Sequence, residues 1–358
     1  MREVLGYPWL AYLGLILASV SVTTSESQKI RNDEITIALG GDVMLGRLIN
    51  QTMYHQGPGY IWGDLISILE GADFTFVNLE CVIARSLEPF IPERVFYFRA
   101  DPVHARTLSL AGVDGVSLAN NHALDFRGDG LLETMDHLDR LGIVHAGAAE
   151  NRSKASAPAV VEIKGIRIAI VAFADHFREY GATEQSPGIN LIDVSLDAET
   201  LGRLERVIGR ARGEADLVIF SIHWGPNMRQ EPTREFIHFA RAVMDLGADI
   251  FHGHSAHVFQ GIEVYGGKVI LYDSGDLIDD YAVDPVLRND RQILFRLSVS
   301  SAGLKGLELI PIVIQNMQVN RATGDDFEAI RRRIEFLSRP FGTRIVPKGD
   351  RLWIPLQE

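Results

Sequence analysis

The sequence predicts a layered α/β fold whose sheet is mixed, or divided into two sheets stacked between helices. Three observations carry that expectation. From Glu34 onward, short apolar β-type runs alternate with amphipathic helical stretches, the pattern of layered α/β chains. Two pairs of runs are separated only by Lys164-Gly165 and by Gly266-Gly267, which marks tight antiparallel hairpins rather than parallel crossovers. Five runs end in carboxylate, amide or imidazole residues, and side chains placed past strand C-terminal ends in such folds converge on one crevice.

Taken in order, the chain starts with an uncharged stretch, Leu5 to Val22, preceded by Arg2 and followed by TTSESQK. This resembles a secretory signal or a signal-anchor, with Ser19-x-Ser21 as a small-x-small cleavage pattern. Pro8 interrupts it and its length lies at the short edge of a bilayer span, so residues 1–27 are expected to be a signal peptide or a membrane anchor. Strands are expected at Ile35 to Leu39, Phe74 to Leu79, Val116 to Leu118, Ile166 to Phe173, Leu217 to Ile222, Ile250 to Phe251 and Lys268 to Tyr272. The hairpins add Val160 to Ile163 and Ile262 to Tyr265. One helix follows Leu131, Leu132, Met135, Leu138 and Leu141 and stops at Gly142; another follows Phe236, Ile237, Ala240, Val243 and Met244 between Pro232 and Gly247. After Asp284 come two more strand-like segments, Ile293 to Val299 and Leu307 to Ile314, a charged helix from Asp325 to Leu337, and a tail. No internal repeat or low-complexity segment is present.

Composition narrows the function. A hydrophobic content of 46% with 23% charged residues over 358 positions is that of a folded globular chain. The 35 basic and 47 acidic residues give a net charge of -12 with no Lys/Arg stripe, which argues against nucleic acid as a partner. The single cysteine, Cys81, excludes an intrachain disulfide framework and any Cys-rich metal site.

The five strand ends carry Asp42 (ITIALGGD), Asn78 and Glu80 (FTFVNLE), Asn121 and His122 (VSLANNH), His223 (VIFSIHWG), and His252, His254 and His257 (DIFHGHSAH). Singly, most have an ordinary structural use: a Gly-Gly-Asp turn caps backbone amides, and a histidine on an apolar strand is often only a satisfied core residue. Three histidines clustered at one strand end have little such use. Together the set provides oxygen and imidazole donors without soft sulfur, which suits Mn, Fe, Zn or Mg.

These residues lie in motifs that resemble a known family. GGDVMLGR, VNLE, ANNHALDFRGDGL with its helix ending in LGI, SIHWG and GHSAHVFQGIEVYGGKVILYDSGDL are similar, over roughly Ile35 to Asp279, to the successive motifs of the CapA capsule-synthesis family, the poly-gamma-glutamate or polyglutamine synthesis accessory proteins. That family is similar in fold to the calcineurin-like metallophosphoesterases. The resemblance therefore implies a four-layer αββα sandwich with a dimetal site at strand ends. It implies a metallophosphatase-like domain over 33–285, with 286–358 completing or extending the fold.

Carried over by position, the resemblance makes Asp42 a first-metal ligand, Glu80 or Asn78 the bridging or neighbouring ligand, and Asn121 a second-metal ligand. His223, His254 and His257 become the remaining imidazole ligands, and His122 the acid that protonates a leaving oxygen. Asp125, three residues further on, would fix the His122 tautomer. Arg47 either contacts an anionic substrate group or is a solvated helix-start residue; Trp224 either lines the pocket or packs beneath it. Met44 stands where metallophosphoesterases generally carry the histidine of GDxH, the NLE triplet replaces their bridging aspartate, and GHxH appears as GHSAH unless His252 and His254 form the pair. The CapA family usually reads GDxML and GHHPHV, so the first departure is shared with it. One metal, or an altered pair, stays open beside a complete two-metal centre.

The resemblance and the N-terminal stretch favour an envelope protein, secreted or anchored with its domain outside the cytoplasm. It would serve the making, export or anchoring of an anionic polymer, working with a membrane-bound synthase. Two alternatives use the same residues: a metal-dependent phosphoesterase acting on a small molecule or envelope component, and a non-catalytic envelope scaffold.

Overall fold

The computed structural model describes residues 34–91 and 94–356; the expected signal or anchor at 1–27 lies outside the described residues. Among the described residues no helix is long and apolar enough to cross a membrane.

The principal elements open with β1 (Ile35–Val43), helix α1 (Arg47–Gln56), β2 (Phe74–Leu79), β3 (Gly115–Ser117), α2 (Arg127–Leu141) and β4 (Val144–Ala146). The middle of the chain gives the hairpin of β5 (Ala159–Ile163) and β6 (Ile166–Ala174), then α3 (Ala198–Glu214), β7 (Leu217–His223), α4 (Arg234–Asp245), β8 (Ile250–His254), and the hairpin of β9 (Ile262–Tyr265) and β10 (Lys268–Leu271). Next come β11 (Asp276–Ile278), β12 (Arg291–Ser300), β13 (Gly303–Gln315), β14 (Gln318–Arg321), α5 (Gly324–Ser338), β15 (Val346–Lys348) and β16 (Arg351–Pro355).

These strands form two mixed sheets. The ten-stranded sheet runs β15-β16-β13-β12-β1-β2-β3-β4, with β11 also paired to β1 and β14 to β13; the six-stranded sheet runs β9-β10-β8-β7-β6-β5. Both expected hairpins form, and Lys164, Gly165, Gly266 and Gly267 all have positive φ, as a two-residue turn matching strand twist requires.

Alternation along the strands explains the layers. Ile168 and Ile170 of β6 and Ile219 of β7 join Ile37, Leu39 and Phe76 in a core between the sheets. The intervening Val171, Phe173, Val218 and Phe220 face the other way, against Leu204 and Ile208 of α3 and Phe239 and Val243 of α4. The ten-stranded sheet is likewise covered by α1 through Ile49 and Met53 and by α5 through Ile330 and Ile334. Strands buried on both faces read as continuous apolar runs, and the outcome is the four-layer αββα sandwich.

Several strands run beyond their expected ends, among them β8, expected to stop at Phe251 and continuing to His254, and β13, expected over Leu307 to Ile314 and spanning Gly303–Gln315. β1 continues beyond Leu39 through Gly40-Gly41 to Val43, exchanging antiparallel pairing with β12 for parallel pairing with β11 at Asp42. Glycine permits the passage, since a Cβ on Gly41 would lie 1.8 Å from the Gly275 carbonyl oxygen.

Candidate metal centre

Strand register assembles the site. Asp42 is level with Asn78 on β2 and with Asp276 on β11, while His223 on β7 is level with His254 on β8. The two sheets are tied here by His252, which donates from Nε2 to the Gly40 carbonyl at 3.0 Å. Gly253 lets β8 approach its neighbour: a Cβ there would lie 2.1 Å from the Tyr272 carbonyl oxygen.

Two donor groups share Asp42. One is Asp42, His223 and His254, the other Asp42, Glu80 and His257, and within each the donor atoms lie within 4.8 Å of one another. The two carboxylate oxygens divide between them: Asp42 Oδ1 is 3.5 Å from His254 Nδ1 and 3.8 Å from His223 Nδ1, and Oδ2 is 3.5 Å from His257 Nδ1. Glu80 Oε1 is 3.6 Å from His223 Nε2 and 3.8 Å from His122 Nε2. Asn78 donates from Nδ2 to Asp42 Oδ1 at 2.8 Å, and Asn120 in turn donates to Asn78 Oδ1 at 3.1 Å. Ser255 and His257 both hold positive φ, a conformation disfavoured for residues with a side chain, and this turn aims His257 at Asp42.

The charge balance favours a cation. Asp42, Glu80, Asp273, Asp276 and Asp279 are all buried near this point. Burial raises the Asp42 pKa from 3.8 to about 7, with His257 opposing and Asp276 adding to the rise. Burial likewise lifts Asp273 to about 8 and puts Glu80, Asp276 and Asp279 well above the usual carboxylate range. The same burial drives His223 and His254 well below the usual imidazole value, keeping both neutral as ligands require. Asp42 Oδ2, both Glu80 oxygens, His223 Nε2 and Asn121 Oδ1 are buried without a hydrogen-bond partner. Converging unmatched donors of this type fit a divalent ion, because buried polar groups are otherwise nearly always satisfied.

Beside these groups His122 is held by Asp125, whose Oδ2 accepts from His122 Nδ1 at 2.7 Å. Asp125 is buried and accepts as well from the Phe98 amide and from Arg94, both at 2.7 Å. Burial lowers the His122 pKa and Asp125 opposes the fall. The proton of neutral His122 therefore sits on Nδ1, leaving Nε2 directed toward Glu80. A cavity of about 660 Å³ opens onto Asn121 and His122, walled by Arg94, Phe96, His176, Phe177 and Tyr281.

The structure thus brings Asp42, Asn78, Glu80, Asn121, His122, Asp125, His223, His254 and His257 together. His252 lies apart from Asp42 in contacts with Gly40 and Ser221, so of the three histidines in HGHSAH, His254 and His257 reach Asp42, beside His223. Arg47 and Trp224 do not wall the cavity. Arg47 pairs with Asp280 at 3.1 Å and lies over Phe96 and Phe98. Trp224 is buried, stacked on Phe236, and donates its indole N–H to the Tyr272 carbonyl.

Sequence reasoning missed Asp276, whose Oδ1 is 2.9 Å from His257 Nδ1; the carboxylate-rich run DSGDLIDD was its signal. It also missed His176, paired with Asp175 and with its ring 5.6 Å from that of His223. Arg94 had no local signal.

The model of the family described as bacterial capsule synthesis protein PGA_cap matches residues 36–281. A probable polyglutamine synthesis accessory protein of Mycobacterium tuberculosis is 31% identical, covering 89% of this chain and 95% of that one. The capsule biosynthesis protein CapA of Bacillus anthracis is 26% identical over 79% of this chain and 68% of its own, and the PGA biosynthesis protein CapA of Bacillus subtilis 26% over 74% and 70%.

Proposed function

Because the chain belongs to the bacterial capsule synthesis protein family, we propose that it is an envelope accessory in the making or export of a polyglutamate-type polymer, acting through a divalent-metal-dependent, hydrolase-type centre. The observation that carries this reading is the pair of donor groups sharing Asp42, with buried acceptor atoms that no group among the described residues satisfies.

Asp42, His223 and His254 would hold one ion, and Asp42, Glu80 and His257 a second, with Asn121 facing the cavity beside them. A divalent ion so held supplies Lewis acidity and lowers the pKa of a bound water toward about 7. The protein's own share is positioning and proton transfer. Asp276 orients His257, and Asn120 and Asn78 orient Asp42. His122 moves a proton at Nε2 while Asp125 stabilises the imidazolium that forms, a role typically worth about a hundred- to ten-thousand-fold in rate. Phe98 packs edge-on against the His122 ring at 4.5 Å and limits water there.

The test is metal content of the full chain, with hydrolysis of a phosphoester panel under added Mn²⁺, Zn²⁺ or Mg²⁺, for the native protein, Asp42→Asn and His223→Ala. One or two equivalents of metal, lost with turnover in both variants, are expected. A native chain that retains no metal and turns over nothing would leave the scaffold role and remove the catalytic one.

A further inference from the structure

Apart from the metal-type cleft, the chain builds a second cavity of about 580 Å³ whose walls include Arg152, Arg178, Arg203 and Arg206 with Thr183 and Glu199. Four guanidinium groups facing one cavity stand out in a chain of net charge -12. They come from three separate stretches: the helical turn Arg152–Ala155, the turn Arg178–Tyr180, and α3.

Arg203 is the partly buried member. Its Nη1 donates to the Leu191 carbonyl and its Nη2 to Asn190 Oδ1, each at 2.5 Å, and the guanidinium lies over the Phe173 ring at 5.6 Å. Both acceptors are neutral, so they fix the side chain without balancing its charge. Burial, then the neighbouring Arg152 and Arg206, depress its pKa, which records how closely the like charges crowd. The nearby carboxylates compensate only in part: Asp193 is engaged with Arg178 at 2.7 Å and Glu184 is 4.0 Å from Arg152. Among the described residues no carboxylate lies within ion-pair distance of Arg203 or Arg206, and Glu199 alone lines the cavity as an acid.

One segment contributes to both cavities: His176 and Phe177 line the metal-type cleft, and Arg178 and Gly181 line the arginine cavity.

We propose that this cavity is a binding subsite for an oligoanion, a chain carrying several carboxylate or phosphate groups. The guanidinium fork matches both oxyanions in bidentate fashion, and arginines distributed round a cavity of this size suit several anionic groups better than one compact ion. The site stands independently of the metal reading, since it uses none of those residues.

The test is fluorescence anisotropy of the full chain with fluorescein-labelled hexaglutamate, using unlabelled tripolyphosphate and inorganic phosphate as competitors, together with direct calorimetric titration of the full chain with each of the three. Arg152→Ala/Arg206→Ala removes two exposed side chains and should leave thermal stability and metal content unchanged. Affinity should fall roughly tenfold in this variant, and native affinity should weaken as salt is raised. Hexaglutamate binding identifies a carboxylate chain; binding of tripolyphosphate alone identifies a phosphate chain; both support the subsite. The proposal is overturned if neither oligoanion binds at low salt, if inorganic phosphate competes as well as tripolyphosphate, or if the double variant binds as tightly as the native chain.

Discussion

Asp42→Asn should stabilise the metal-free protein while abolishing its response to metal. Asp42 is fully buried, and without a cation its ionised form bears the cost of that burial, to which Asp276 adds and which His257 only partly offsets. A folded-state pKa of about 7 against 3.8 makes its contribution to stability complete below pH 4 and lost as pH rises through about 7. The displacement corresponds to roughly 4 kcal/mol at pH 8. Asparagine keeps the volume and still accepts from Asn78 Nδ2, so most of that cost should disappear, a gain of about 2–4 kcal/mol at pH 8 that vanishes at pH 4. Metal works against that gap: at a hundred times its dissociation constant an ion adds about 2.7 kcal/mol to the native chain and much less to the variant. Urea unfolding of chelator-treated protein at pH 4 and pH 8, with and without Mn²⁺, reads both effects. A metal-free variant less stable than the native chain at pH 8, or equal stabilisation of the two by Mn²⁺, would refute the account of Asp42 as an incompletely compensated charge that a cation neutralises.

Asp125→Asn removes the charge that opposes the burial-driven fall of the His122 pKa, so the His122 ring, followed by NMR, should titrate lower; any phosphoester turnover should fall at least about a hundredfold with metal content retained. Gly253→Ala forces a Cβ toward the Tyr272 carbonyl and Trp224 Nε1, and should cost about 1–3 kcal/mol in urea unfolding, with metal lost as β8 shifts. Cys81 is buried and its thiol is pushed up to about 12; a thiol reagent at pH 8 should label it only on unfolding, and rapid labelling of the native chain would contradict the burial of this strand end.

The fold was legible because strands covered on both faces announce themselves as apolar runs, and because Lys164-Gly165 and Gly266-Gly267 have the turn chemistry that hairpins need. The site was legible where donors sit at the ends of those runs: Asp42, Glu80, His223 and His254 occupy the last positions of strands or the residues just beyond them. What could not be read depends on contacts far apart in sequence. Asp276 matters because β11 slots against β1 where β12 leaves it, a pairing that local pattern does not encode. Arg94 lies outside any periodic element and reaches Asp125 across thirty-one positions. Two readings were open for each of Arg47 and Trp224, and contacts far apart in sequence bear on them: Arg47 pairs with Asp280, and Trp224, one step past His223, packs toward α4.

The composition of the two proposed donor groups bears on which cation each would suit. The group of Asp42, His223 and His254 has two imidazoles and one carboxylate, a set that suits Fe, Mn or Zn; the group of Asp42, Glu80 and His257 has two carboxylates and one imidazole, which moves its preference toward harder Mn or Mg. In the second group Glu80, just past β2, offers oxygen, and Asp276 lies against His257. Carboxylates carry charge that imidazole does not, so they raise the electrostatic cost of the metal-free protein and would increase what binding a cation returns. On that reasoning a bound cation would contribute more to folded stability here than in a histidine-rich centre, and the carboxylate-rich group is where chelation of an added metal should be felt first.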